Sequence, residues 1–197
     1  MREMIKMVVV LTVLSAVSGG LLAYLRTATA AQIERQELEF VKGPAIRQIL
    51  AGASNDPVND RFKIEVDGKA ESFFVGVFDG KPNTVVFETE GSGFADAFGL
   101  MVAVNVESDQ LVGVAVTTHK ETPGLGARAK EDPSFAAQFK GLPVDKPIKV
   151  SRDGGTISAL SGATITSRGV CAAATDALGR YRELKPRILE QIQSFKQ

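Results

Sequence analysis

Residues 7–25 contain no charged side chain and are dominated by leucine and β-branched residues. A run of that length matches the hydrocarbon thickness of a bilayer, so it constrains the chain more than any other feature. Arg2 and Lys6 precede it and Arg26 follows it. With the charge of the amino terminus added, the positive-inside rule places the N-terminal end in the cytoplasm. Gly19-Gly20 offers a point of close approach for another membrane helix. A cleaved leader is the alternative, because Ala28-Thr29-Ala30 resembles an A-x-A processing site. The apolar run exceeds an ordinary signal h-region, which favours a retained anchor, and both readings put the rest of the chain outside the cytoplasm. The expected division is a cytoplasmic tip (1–6), a transmembrane helix (7–25), a stalk and connecting segment (26–60) and an extracytoplasmic domain (61–197).

Several classes of function are excluded early. The 197 residues carry 23 Lys+Arg and 23 Asp+Glu, so there is no global basic field to attract nucleic acid. One cysteine, Cys171, leaves no internal disulfide, and one histidine, His119, leaves no His-based metal site. Zinc, iron–sulfur and haem-attachment patterns are absent, as is a Rossmann fingerprint. Any redox chemistry must come from an organic cofactor or a partner.

Beyond the apolar run, residues 31–50 read as helix, either a stalk or the first helix of the domain. Residues 52–60 read as a loop. Residues 61–66 alternate, and Asp67-Gly68 is a hairpin signal. Residues 72–78 and 83–87 are further short strands, and 100–106 with 111–117 form another hairpin in which Gly113 admits something close to its face. Together these predict an antiparallel meander. Asp132-Pro133-Ser134 starts a short helix with Phe135 and Phe139 on its apolar side. Residues 148–150 are a candidate strand. Val170, Cys171, Ala174, Ala177 and Leu178 trace a helical stripe that makes Cys171 a buried hydrophobe. A last amphipathic helix over 183–195 is broken or begun at Pro186. The fold class is α+β, an antiparallel sheet with flanking helices behind one N-terminal span.

Two stretches carry candidate chemistry. In His119-Lys120-Glu121-Thr122-Pro123-Gly124-Leu125-Gly126, Pro123 holds Thr122 extended, while Gly124 and Gly126 permit positive φ. The loop exposes Glu121, Thr122 and backbone groups, or is simply a tight exit from an edge strand. His119 alone is expected to hydrogen-bond locally. In Ser161-Gly162-Ala163-Thr164-Ile165-Thr166-Ser167, small residues feed a helix start, where first-turn N–H groups lack partners and suit a phosphate. The alternative is an ordinary N-cap by Ser161 or Thr164.

Taken in order, Gly93-Phe94, the hairpin, the Glu121-to-Gly126 loop and the Ser161-to-Thr164 turn resemble the FMN-binding domain family. The likeness covers nearly the whole chain and is strongest to its branch of Rnf electron transport complex G subunits. C subunits of sodium-pumping NADH:quinone reductases are related but usually longer. The resemblance implies an FMN-binding core at about 91–180 and FMN joined through its phosphate to Thr164 by a separate flavin transferase that uses FAD. It further implies Ser161, Gly162, Ala163 and Thr166 around the phosphate, with Glu121, Thr122, Leu125 and Gly126 along the isoalloxazine side.

The function so implied is a covalent-FMN electron carrier in an ion-translocating ferredoxin:NAD oxidoreductase. It would be a redox subunit among other membrane and redox subunits of the inner membrane, with no catalytic residue or metal of its own. Alternatives are a quinone-reductase C-like or other exported flavoprotein relay, and a non-catalytic exported anion-binding module.

Overall fold

The protein is described by a computed structural model covering residues 1–66 and 68–196. It divides into two units, Met1–Phe40 and Val41–Gln197.

The first unit is essentially α1 (Arg2–Glu37), a helix long and apolar enough to cross a membrane, with none of its residues buried. Its three threonine hydroxyls are satisfied locally. The hydroxyls of Thr12, Thr27 and Thr29 donate to the carbonyls of Val8, Ala23 and Leu25 one turn back, which suits a helix without water along its sides.

A π-helical stretch (Leu38–Lys42) precedes α2 (Gly43–Ile49). The second unit is built on five strands: β1 (Arg61–Val66), β2 (Lys69–Phe78), β3 (Lys81–Ser92), β4 (Ala97–Asn105) and β5 (Gln110–Val116). They pair in sequence order, each antiparallel to the next, so the expected meander is the observed one. Of the predicted β1–β2 turn, Gly68 is described with φ +75°, and Asp67 lies outside the described residues.

The sheet is buried on both faces, which explains why β4 is buried almost continuously rather than alternately. On one face Phe62, Phe73 and Phe87 form a cross-strand ladder, with ring centroids 5.5 Å and 5.4 Å apart. On the other, Phe74, Val86, Met101 and Ala103 are buried, and α2 packs on β4 and β5. Gly113 makes room there: a Cβ on it would sit 3.2 Å from Ile49 Cγ2. The later part of the 31–50 segment therefore belongs to the domain, with Ile46 and Leu50 fully buried.

After β5 come α3 (Arg128–Glu131) and α4 (Pro133–Ala137). Asp132 caps α4, its Oδ1 accepting from Ser134 N at 3.0 Å. Residues 148–150 do not form the expected strand. Val150 makes a single parallel bridge to Ile157 instead, because the chain turns at once into the 3-10 turn Ser151–Asp153.

The ladder face is closed by α5 (Thr164–Gln193), which crosses β3 and also touches β4 and β1. It is one helix where two were expected, and it runs straight through Pro186. A proline inside a helix costs about 3 kcal/mol. Beyond it Ile188 and Ile192 are both buried, and each such side chain contributes roughly 1.5–3 kcal/mol. Packing on the far side of the proline therefore offsets its cost.

Candidate functional site

The N-terminus of α5 is brought to the end of β3 by two glycines. A Cβ on Gly169 would overlap the Ser92 carbonyl, and one on Gly91 would sit 2.8 Å from the Cβ of Ala173. Small residues here let the helix start lie directly over the strand end, beside the loop that follows β5.

That loop has the geometry its sequence dictates. Thr122 O accepts from Leu125 N at 3.1 Å, with Pro123 in the second position of the turn and Gly124 at φ +74° in the third. This is the type II arrangement that Pro-Gly favours. Gly126 differs from expectation, since it is not among the positive-φ residues. It is glycine for space: a Cβ there would overlap the Glu121 carboxylate, as would one on Gly93.

Glu121 is the hub of the site. It is 7% exposed. Its Oε1 accepts from the N–H groups of Phe94 and Ala95 at 2.8 and 3.0 Å, and its Oε2 accepts from the Thr166 hydroxyl at 2.7 Å. One carboxylate thus ties together the β3–β4 turn, its own loop and the first turn of α5. Burial alone would raise its pKa. The Thr166 hydroxyl, the two backbone N–H groups and nearby His119 outweigh that, and the group is held below the ordinary glutamate range. As expected, His119 acts locally, its Nδ1 accepting from Glu121 N at 3.3 Å.

The helix start is not capped in the ordinary way. Its N-cap is Ala163, with no side-chain cap hydrogen bond, so neither Ser161 nor Thr164 plays the capping role. No backbone acceptor among the described residues takes the N–H groups of Thr164, Ile165 or Thr166. Gly162 adopts φ +78°, and Ser167 braces the turn by donating to Ala163 O at 2.9 Å and accepting from Leu160 N at 3.0 Å. Outside the turn, Arg168 grips Asp153 through two bonds of 2.7 and 2.8 Å.

These elements enclose a cavity of about 370 Å³, within the range of small-molecule sites. Eight of the nine residues expected at the site line it: Glu121, Thr122, Leu125, Gly126, Gly162, Ala163, Thr164 and Thr166. Ser161 is exposed and outside the lining. The two central threonines differ sharply. Thr166 is buried and its proton is committed to Glu121. Thr164 is half-buried, and its hydroxyl has no hydrogen-bond partner among the described residues. A carboxylate beside a hydroxyl can be a base beside a nucleophile, but a strongly stabilised carboxylate is a weak base and Thr166 is out of reach. That pair is structural, and of the two threonines Thr164 is the one whose hydroxyl is uncommitted among the described residues.

Sequence reasoning missed two lining residues, Phe94 and Ile165. They are 72% and 52% exposed and, with Leu125 at 46%, make an apolar rim. Large apolar side chains within polar, glycine-rich turns were the available signal. Cys171, in contrast, is the buried hydrophobe its stripe predicts, with burial, then Asp153, pushing its thiol up to about 12.

The apolar-rimmed pocket and the uncapped helix start that opens into it lie within residues 93–179, which match the family model of the FMN-binding domain. The chain belongs to the family of G subunits of ion-translocating oxidoreductase complexes. It is 33% identical to the G subunit of Methanosarcina acetivorans, over 90% of this chain and 94% of the relative. Against that of Pseudomonas aeruginosa it is 30% identical over 95% and 93%. The G subunit of a proton-translocating ferredoxin:NAD(+) oxidoreductase complex from Clostridium ljungdahlii is 33% identical over 71% and 77%. Two solved structures share the fold. The first is the C subunit of the Na(+)-translocating NADH-quinone reductase of Parabacteroides distasonis, with TM-score 0.60 and 21% identity over 78% of this chain and 94% of that one. Shewanella oneidensis NqrC follows at TM-score 0.53 and 24% identity, over 73% and 72%.

Proposed function

We propose that this protein is the covalent-FMN electron carrier of a membrane-bound, ion-translocating ferredoxin:NAD oxidoreductase complex, anchored by α1 with its domain on the extracytoplasmic face. The observation that carries the reading is the uncapped start of α5, with the half-buried Thr164 hydroxyl at the pocket wall. Membership of the G-subunit family supplies the complex, and the charges before the apolar run supply the orientation.

The residues present fit a flavin mononucleotide. Thr164 Oγ1 is the attachment atom. In the attachment step a flavin transferase supplies FAD. The Thr164 oxygen would replace AMP on the FMN phosphorus, with AMP as the leaving group and the hydroxyl proton passing to solvent, so that Thr164 would hold the group through a phosphoester. The N–H groups of Thr164, Ile165 and Thr166 suit phosphoryl oxygens, assisted by the helix dipole. Thr166 Oγ1 is spent on Glu121 and donates no further bond. Gly162 leaves the backbone open beside the phosphate, and Leu125, Phe94 and Ile165 supply apolar surface for the ring system. The bound group would supply reversible electron uptake, and the chain's part is to hold it, orient it and set its surroundings.

The test is peptide mass spectrometry of protein expressed at the membrane with a flavin transferase, beside Thr164→Ala. An FMN-sized adduct on the Thr164 peptide, absent from T164A, is expected. An unmodified peptide in the presence of active transferase overturns the assignment and leaves a non-covalent anion-binding module.

A further inference from the structure

Among the residues lining the pocket, Glu121 alone has an ionisable side chain. Two cations close to the lining residues in sequence are each paired, Lys120 with Asp96 and Arg168 with Asp153. Glu121 forms no ion pair among the described residues; its hydrogen-bond partners are dipoles, two N–H groups and one hydroxyl, and His119 is an ionisable neighbour that favours its charge. Both of its oxygens are occupied by these donors. Gly93 and Gly126 close on the carboxylate from either side, and a Cβ at either position would overlap it. Three of its roughly four lone-pair positions are taken, and the two glycines leave it no room to swing out. Dipoles stabilise a charge without cancelling its field at a distance, and the apolar rim limits the water that would screen it.

We propose that Glu121 is a positioning residue of the pocket wall, and that its fixed negative charge lowers the reduction potential of any flavin held in the pocket. The inference rests on the function proposed above. A reduced flavin carries added electrons, and a fixed negative charge on the pocket wall disfavours that state. The same carboxylate, by holding Phe94, Ala95 and Thr166, fixes three parts of the wall relative to one another.

The test is potentiometric titration, with redox dyes and dithionite, of full-length protein carrying the flavin, wild type beside Glu121→Gln. Glutamine is isosteric: its carbonyl accepts the two N–H bonds, and its amide donates to a rotated Thr166 hydroxyl. Mass spectrometry of the Thr164 peptide is run on both samples. The expected result is an adduct on both and a reduction equilibrium at least about tenfold more favourable in E121Q, a rise of about 30 mV for a two-electron couple. Equilibria within twofold of each other overturn the proposal and leave Glu121 a structural tie alone. Should E121Q fail to fold, Thr166→Val serves, since it breaks the network and keeps the charge. An equilibrium within twofold of wild type then supports the charge as the cause, and a tenfold change overturns it. Absence of the adduct from wild-type protein is a different failure, that of the underlying function.

Discussion

The Thr166 hydroxyl donates to Glu121 Oε2 at 2.7 Å across 45 residues of sequence, joining the first turn of the long helix to the loop behind the last strand. Both residues are buried, and a hydrogen bond to a charged group contributes roughly 1.5–3 kcal/mol. Thr166→Val keeps the shape and removes the donor. Chemical denaturation should show a loss of that size with an unchanged slope, because the folded and unfolded surfaces stay the same.

The same carboxylate predicts an acid limb. Its folded-state pKa lies below the ordinary glutamate value of 4.5. The folded form therefore holds its charge more tightly than the unfolded chain does. The contribution is complete above about pH 4.5 and is lost as pH falls through the lower, folded-state value. In E121Q this dependence disappears, so melting temperature measured from pH 6 down to pH 3 should fall less steeply than in wild type. Equal slopes would mean that Glu121 titrates alike in both states.

Glycine at 126 is fixed by the Glu121 carboxylate rather than by backbone conformation, since its φ is not positive. Gly126→Ala must displace a buried charge that two other segments hold in place. Overpacking of this kind costs about 1–3 kcal/mol, and it should also lower flavin attachment by moving the pocket wall. Gly124→Ala is strained instead by its φ of +74°, with open space around its Cβ, so it should destabilise while leaving the carboxylate in place. Comparing the acid limbs of the two variants separates the causes.

The meander was legible because alternation and turn chemistry are local: the strand at 61–66 is β1 residue for residue. The Pro-Gly turn was legible for the same reason. Pro186 misled because its cost is local, whereas the burial of Ile188 and Ile192 that overrides it is tertiary. Residues 148–150 look like a strand for want of any local sign that, among the described residues, their ladder partner is Ile157 alone. At the site, nearly all the lining residues sit in the two glycine-rich motifs. Their connection through Glu121 was not legible, because no pattern within either motif reveals which donor a carboxylate will find in the other.

The contrast between Thr164 and Thr166 yields the sharpest outcome. The two hydroxyls are two residues apart on the same helix turn, yet Thr164 is half-buried at the pocket and Thr166 is 2% exposed. Modification by a separate enzyme requires the oxygen to reach a bulky donor, and Thr166 Oγ1 is covered and already bonded to Glu121. In Thr164→Ala the adduct should therefore vanish rather than move to Thr166. In Thr164→Ser the hydroxyl persists without the methyl group, and the adduct should return on residue 164. Thr166→Val should keep the adduct on Thr164, with a yield reduced only as far as stability falls. Peptide mass spectrometry of the three variants checks this directly. Flavin found on Thr166 in T164A would show that the first turn of α5 opens far enough to break the Glu121 bond.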